Sequence, residues 1–194
     1  MKYSFDVGPE GWCSYDYHGC VRAGRNIFIL AVWQRSGGVD DGGYIWSDEH
    51  GWSADTPESP ISAFPFTLKR NWVGEGAIDL RNAEVSVYLR GDGLKLHGGE
   101  CYFHVLSGGT AWHYDSHPLE IGDGKWPSQP DRFTLKDDES LWHRSWAGHS
   151  DSSRKALGVS EVLAECTSFA VKFAGFTSVP SGKIAMDELE IKLA

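Results

Sequence analysis

Nowhere in its 194 residues does this chain string together the roughly 18 apolar side chains that a bilayer-crossing helix requires. Membrane insertion is therefore not expected. Basic residues are scarce as well: 18 Lys and Arg against 27 Asp and Glu leave a formal charge of −9, and no basic stripe exists to neutralise a phosphate backbone. Neither nucleic acid nor an anionic membrane surface is an expected partner. The four cysteines, Cys13, Cys20, Cys101 and Cys166, are too few and too scattered for a disulfide framework. Cys101 and Cys166 sit in apolar segments and read as small core residues. Cys13 and Cys20 flank "SYDYHG"; they close a short loop if the protein is exported or, with His18 between them, bind a metal. The opening "MKYSFDVGPEGW" has one Lys and no apolar segment behind it, so no secretory signal is expected and the protein is either cytoplasmic or an excised secreted domain. Also missing are a Gly-x-Ser-x-Gly elbow, a P-loop, a Gly-x-Gly-x-x-Gly turn after a strand and a His-Glu-x-x-His pair.

Tryptophan, by contrast, is abundant. Nine occur, mostly beside Gly, His, Asp or Ser, as in "YIWSDEHGW", "GGTAWHYDSH", "GDGKWPSQP" and "LWHRSWAGH". An indole combines a large apolar ring with an N–H that needs a partner, so Trp in loops favours surfaces that stack flat ligands. With 41% hydrophobic residues the chain suffices for one domain, residues 1–194, burying on the order of 70% of its unfolded surface.

Period-two alternation dominates. "AEVSVYLRG" places Val85, Val87 and Leu89 on one face, "CYFHVLS" opposes Cys101, Phe103 and Val105 to Tyr102 and His104, and "SFAVKFAGF" opposes Phe169, Val171 and Phe173 to Lys172. "KIAMDELEIKL" sets Leu189, Ile191 and Leu193 against Glu188, Glu190 and Lys192. Shorter strands are predicted at "NIFILAVW" (26–33), "SAFPFTL" (62–68), "GTAWHY" (109–114) and "RFTL" (132–135), with Gly-, Asp- and Pro-rich turns between them. One short helix is predicted at 159–167 with Ser160 as N-cap, and "DSSRKALG" (151–158) reads as a polar loop. Many short strands, 23 glycines and almost no helix predict an all-β antiparallel jelly-roll sandwich.

"YSFDVGPEGWCS" at 3–14, "AIDLRNAEVSVYLRGDG" in the middle and "SGKIAMDELEIKL" at 181–193 resemble, in order, the opening, the Asp-Leu-introduced strand and the closing strand of carbohydrate-binding modules of the galactose-binding-like jelly-roll group. The resemblance implies a carbohydrate ligand and a structural Ca²⁺ held by Asp6 and Asp187, with backbone carbonyls; Glu188, standing where the group usually has Asp or Asn, is the weaker third candidate. Independently, Asp187 shares the parity of Leu189 and Ile191, so its carboxylate is expected on the interior side of the sheet. There it needs hydrogen-bond donors, a basic partner or a cation, and hard oxygen ligands suit Ca²⁺. "MDELE" also resembles the acidic strand of retaining jelly-roll glycoside hydrolases, but the Glu they need two positions earlier is here Ala185.

Sugar binding requires flat aromatics and polar side chains for the hydroxyls. "GGYIWSDEHGWSAD" offers Tyr44, Trp46 and Trp52 with Asp48, Glu49 and His50; "WHYDSHP" offers Trp112, His113, Tyr114, Asp115 and His117. Tyr44, Trp46, Trp52, Trp112, His113 and Asp115 are the expected ligand-binding set, while Trp12 and Trp33 are expected to plug the core. An enzymatic alternative also stands: His113, Asp115 and His117 alternate, and on one strand face they would hold a catalytic metal or an acid–base group for polysaccharide hydrolysis or elimination.

Overall fold

The structure, a computed structural model, describes residues 1–15, 27–51, 62–145 and 156–194. Trp52, Trp146, His18, Cys20 and the 151–155 part of the polar loop lie outside the described residues. The chain forms β1 (Lys2–Tyr3), β2 (Cys13–Tyr15), β3 (Phe28–Leu30), β4 (Val32–Gln34), β5 (Tyr44–Asp48), β6 (Ser62–Lys69), β7 (Glu84–Lys95), β8 (Glu100–Ser107) and β9 (Thr110–His113). It continues with β10 (Gly122–Asp123), β11 (Asp131–Thr134), β12 (His143–Ser145), helix α1 (Val159–Ala164), β13 (Ser168–Ala174) and β14 (Ser181–Lys192). Among the described residues no helix is long and apolar enough to cross a membrane.

Two sheets face each other. The first runs β10-β7-β14-β5-β4, with β1 beside β14 and β11 beside β7; the second runs β12-β9-β8-β13-β6-β2-β3. All pairings are antiparallel except that of β10 with β7. This is the predicted sandwich, and its core collects the alternating apolar sets, including Val85, Val87 and Leu89 from one sheet and Phe103, Phe169 and Phe173 from the other. Trp12 is fully buried, edge-on to Tyr3 at 5.6 Å and packed against Phe169 at 5.7 Å, so it plugs the space between the sheets. Trp33 is half-buried, its Nε1–H donating to the Phe5 carbonyl at 2.6 Å.

Three local expectations are corrected. The run "NIFILAVW" is two strands: β3 pairs with β2 in the second sheet, β4 pairs with β5 in the first, and buried Ala31 makes the corner between them. The helix is capped at Gly158, whose N–H donates to the Glu161 carboxylate at 2.8 Å, while Ser160 lies inside it and donates to Asp137. In β14 a bulge intervenes: Asp187 pairs with Tyr88 but Glu190 pairs with Ser86, so three residues of β14 span two of β7. Ile184 and Met186 face the core before the bulge, and Leu189 and Ile191 after it. Asp187 precedes the inserted residue and shares the outer face with its partner Tyr88, contrary to the parity argument. It is buried all the same, because the Gly37–Gly43 loop closes over it.

Candidate functional site

The structure divides the expected ligand-binding residues between opposite faces of the sandwich. Tyr44 and Trp46, two apart on β5, share the outer face of the first sheet. The Arg90 guanidinium lies 5.0 Å from the Tyr44 ring and 4.7 Å from that of Trp126, and ion-pairs with Asp92 at 3.1 Å. Trp126 anchors to the Gly37 carbonyl through its Nε1–H at 2.9 Å, and the Lys183 ammonium sits 3.9 Å from the Trp46 ring centre. This is an aromatic patch whose ring faces already carry cations.

Beneath the same loop lies the acid pair. Asp187 Oδ2 accepts from the Val39 N–H and Oδ1 from the Glu188 N–H, both at 2.7 Å, while Asp6 Oδ1 accepts from Gly43 at 3.3 Å. A Cβ placed on Gly38 would stand 2.5 Å from Asp187 Oδ2 and 2.8 Å from the carbonyl oxygens of Gly42 and Gly43, so three oxygens converge on one point. Burial above all, then the nearby acids Glu188 and Asp6, push the Asp187 carboxyl up to about 7 against its backbone donors. Glu188 turns away to ion-pair with Lys2 at 2.6 Å and does not join the cluster. Among the described residues no three His, Cys, Asp or Glu side chains converge as metal ligands. A cation at Asp187 would therefore rely on carbonyl oxygens, which is hard-ion chemistry of the Ca²⁺ kind.

His113 and Asp115 belong to the opposite side. β8 and β9 are joined by Gly108-Gly109, both at positive φ, with Ser107 pairing Thr110; this register sets His104 opposite His113, and β12 sets His143 opposite His113 in turn. Three imidazoles thus form a cross-strand row on the outer face of the second sheet. The His113 ring lies 4.6 Å from Tyr102 and 5.1 Å from His143, and its Nε2 is 3.4 Å from Asp115. The Tyr102 hydroxyl donates to Glu100 at 2.7 Å. A groove of about 290 Å³ opens here, walled by Tyr102, His113, Asp115, His143, Arg144, Ser145 and Lys172 with the small residues Ala174 and Gly175. Burial first, then the Lys172 ammonium, hold the His113 imidazole down at about 4 and His104 well below its ordinary value. Two buried polar atoms of the residues lining the groove, His113 Nδ1 and Ser145 Oγ, have no hydrogen-bond partner among the described residues.

The remaining expected residues fall elsewhere. Trp112, adjacent to His113 on β9, points the other way and is 7% exposed, its Nε1–H donating to Leu157 at 3.2 Å, so it serves the core and offers no stacking face. His117 Nε2 bonds Asp131 at 2.7 Å and its ring stacks on Phe133, so His113, Asp115 and His117 do not assemble into one group. Cys13 is a buried thiol that donates to the Thr67 carbonyl at 3.4 Å, and its expected partners Cys20 and His18 lie outside the described residues. Sequence reasoning missed Tyr102, His143, Arg144 and Lys172. The Gly-Gly turn was the available signal, since a two-residue hairpin fixes His104 against His113 by counting.

No family model and no curated protein matches the chain. Among solved structures it is similar to the family 11 carbohydrate-binding module of a cellulosomal cellulase of Clostridium thermocellum, over 100% of this chain and 95% of that one, with 12% identity and a TM-score of 0.53. It is also similar to a cleaved adhesin domain of Lys-gingipain from Porphyromonas gingivalis, with 15% identity, a TM-score of 0.41 and coverage of 100% and 98%. A third similarity is to a carbohydrate-binding module specific for non-crystalline cellulose, with 8% identity, a TM-score of 0.39 and coverage of 96% and 89%. The first of these similarities, with the two facing sheets, gives the chain the jelly-roll sandwich fold of that carbohydrate-binding module, and at 12% identity the likeness concerns the fold alone.

Proposed function

We propose that this protein is a non-catalytic carbohydrate-binding module whose ligand lies in the groove of the second sheet, with a structural Ca²⁺ between Asp6, Asp187 and the Gly42 and Gly43 carbonyls. One observation carries the reading: an open groove of about 290 Å³ on the outer face of the second sheet is lined by the Tyr102 ring together with the hydrogen-bonding residues His113, Asp115, His143 and Ser145. The neutral His113 imidazole offers one N–H and one lone pair, which matches hydroxyl groups that both donate and accept. The fold shared with the clostridial module adds support. Tyr44 and Trp46 support the reading less, because their rings already hold Arg90 and Lys183. The metal-dependent alternative loses its third group, as His117 is bound to Asp131.

The test is a panel of soluble poly- and oligosaccharides probed by affinity electrophoresis and calorimetry. His113→Ala should weaken retention of the recognised saccharide about tenfold, while Trp46→Ala should change it less than about twofold. A chain that retains no saccharide, or a His113→Ala variant that binds as tightly as wild type, would overturn the proposal.

A further inference from the structure

At the β3 edge of the second sheet, away from β9 and β12, a second opening has a different chemistry. Cys13 pairs with Leu30 and Tyr15 with Phe28 across β2 and β3, so Cys13, Phe28 and Leu30 share one face. The chain leaving β6 makes a single 3₁₀ turn at Arg70–Val73, which sets the Trp72 ring edge-on to Phe28 at 4.6 Å. Gly11, Cys13, Phe28, Leu30 and Trp72 line a groove of about 350 Å³, at the low end of the size range of small-molecule sites. Its apolar wall faces water, with Trp72 48% and Leu30 63% exposed.

One cation stands over this wall. The Lys69 ammonium lies 4.7 Å from the Phe28 ring and 5.2 Å from that of Trp72, and burial pushes it below its ordinary value. Arg90, over two rings of the first sheet, has Asp92 as counter-ion. Lys69 has no carboxylate beside it among the described residues; the one acidic group near enough to raise it is Cys13. That thiol is not a counter-ion, because burial pushes it up to about 12 and its S–H is given to the Thr67 carbonyl.

From this uncompensated ammonium beside exposed rings we infer that the groove binds a small aromatic carboxylate, its ring against Trp72 and Leu30 and its carboxylate on Lys69. The carboxylate supplies the counter-charge that the fold leaves out, in a half-buried setting where the pair is stronger than in open water. A flat ring covers the exposed apolar surface and packs on the indole. A neutral sugar fits worse: of the lining side chains only the Trp72 indole N–H is free to bond it, so its hydroxyls would lose water without replacement. The site stands on β2, β3 and the turn after β6, and it does not rest on the carbohydrate-binding reading.

The probes are 3-phenylpropionate, its amide, hexanoate and a neutral gluco-oligosaccharide, each titrated into the intact chain. Binding is followed by ligand-observed NMR and by the Trp72 indole N–H signal, assigned through Trp72→Phe; the other indole signals report that each variant is folded. 3-Phenylpropionate should shift the Trp72 signal saturably at about millimolar concentration. The amide should bind about tenfold more weakly, and hexanoate about fivefold. Lys69→Met should cost about tenfold, Lys69→Arg should keep most of the affinity, and Trp72→Ala should cost about fivefold. Equal binding of acid and amide, equal binding of hexanoate, indifference to Lys69→Met, or a Trp72 signal that follows the sugar and not the acid would each overturn the assignment. So would silence with all four probes.

Discussion

On the outside of the first sheet Arg90 and Lys183 lie over aromatic rings at 4.7 and 3.9 Å, and Trp126 is tied to the Gly37 carbonyl; of the Arg90 nitrogens only Nε is buried without a partner. On the outside of the second sheet the aromatic ring of Tyr102 lies against His113, and a groove of about 290 Å³ opens beside them. Both faces hold aromatics and cations. The first stacks them on each other and leaves no ring face free, and the second arranges them around a cavity. An inventory of residue types would rank the first face higher, since it has more indole; the presence of a groove reverses the order.

The comparison breaks most sharply at Gly38. A methyl there would collide with Asp187 Oδ2 and two carbonyl oxygens, so Gly38→Ala should displace the loop over the first sheet and cost about 4 kcal/mol, seen as a melting temperature lower by roughly 8 to 16 °C. Saccharide affinity of the surviving folded protein should be unchanged, because the groove is on the other side. Next in size is the cation. Calcium at a hundredfold excess over its dissociation constant should stabilise the wild type by about 2.7 kcal/mol, a rise of roughly 5 to 10 °C that a chelator reverses and that Asp187→Asn abolishes. A melting temperature indifferent to both calcium and chelator would remove the metal from the first face. The smallest effect is on the second face and depends on pH. Burial, with Lys172 and His143 behind it, holds folded His113 at about 4, below its ordinary 6.5, so between those values the unfolded chain binds more protons than the folded one. Stability is fully present above about 6.5 and declines as pH falls toward 4. Melts of wild type should therefore drop by a few degrees more than those of His113→Gln over that window.

Much of the fold could be read directly from the sequence, because alternation along β7, β8 and β13 matches the burial the strands attain. Two places could not. Residues 26–33 form one uninterrupted apolar run, and nothing local announces that the chain changes sheets at Ala31. The bulge after Asp187 shifts parity by one, so the inward set of β14 changes from even to odd numbers midway; the correct expectation that Asp187 is buried followed from a wrong geometry. At the candidate site, grouping Trp112 with His113 was avoidable, since neighbours on a strand face opposite ways. Separating Tyr44 and Trp46 from His113 needed the strand order of two sheets, which depends on pairing across the whole chain. His143 and Lys172 reach the groove only through that order, from β12 and β13 on either side of β8 and β9.

The single-residue corner at Ala31 has a consequence for how this scaffold tolerates change. With Leu30 bonded to Cys13 in one layer and Val32 to Trp46 in the other, one inserted or deleted residue between them would slip the pairing of both edges at once and turn their side chains to the wrong sides. Homologous chains should therefore vary in length in their loops while keeping this junction fixed, and a designer seeking a place to graft new sequence should leave it alone.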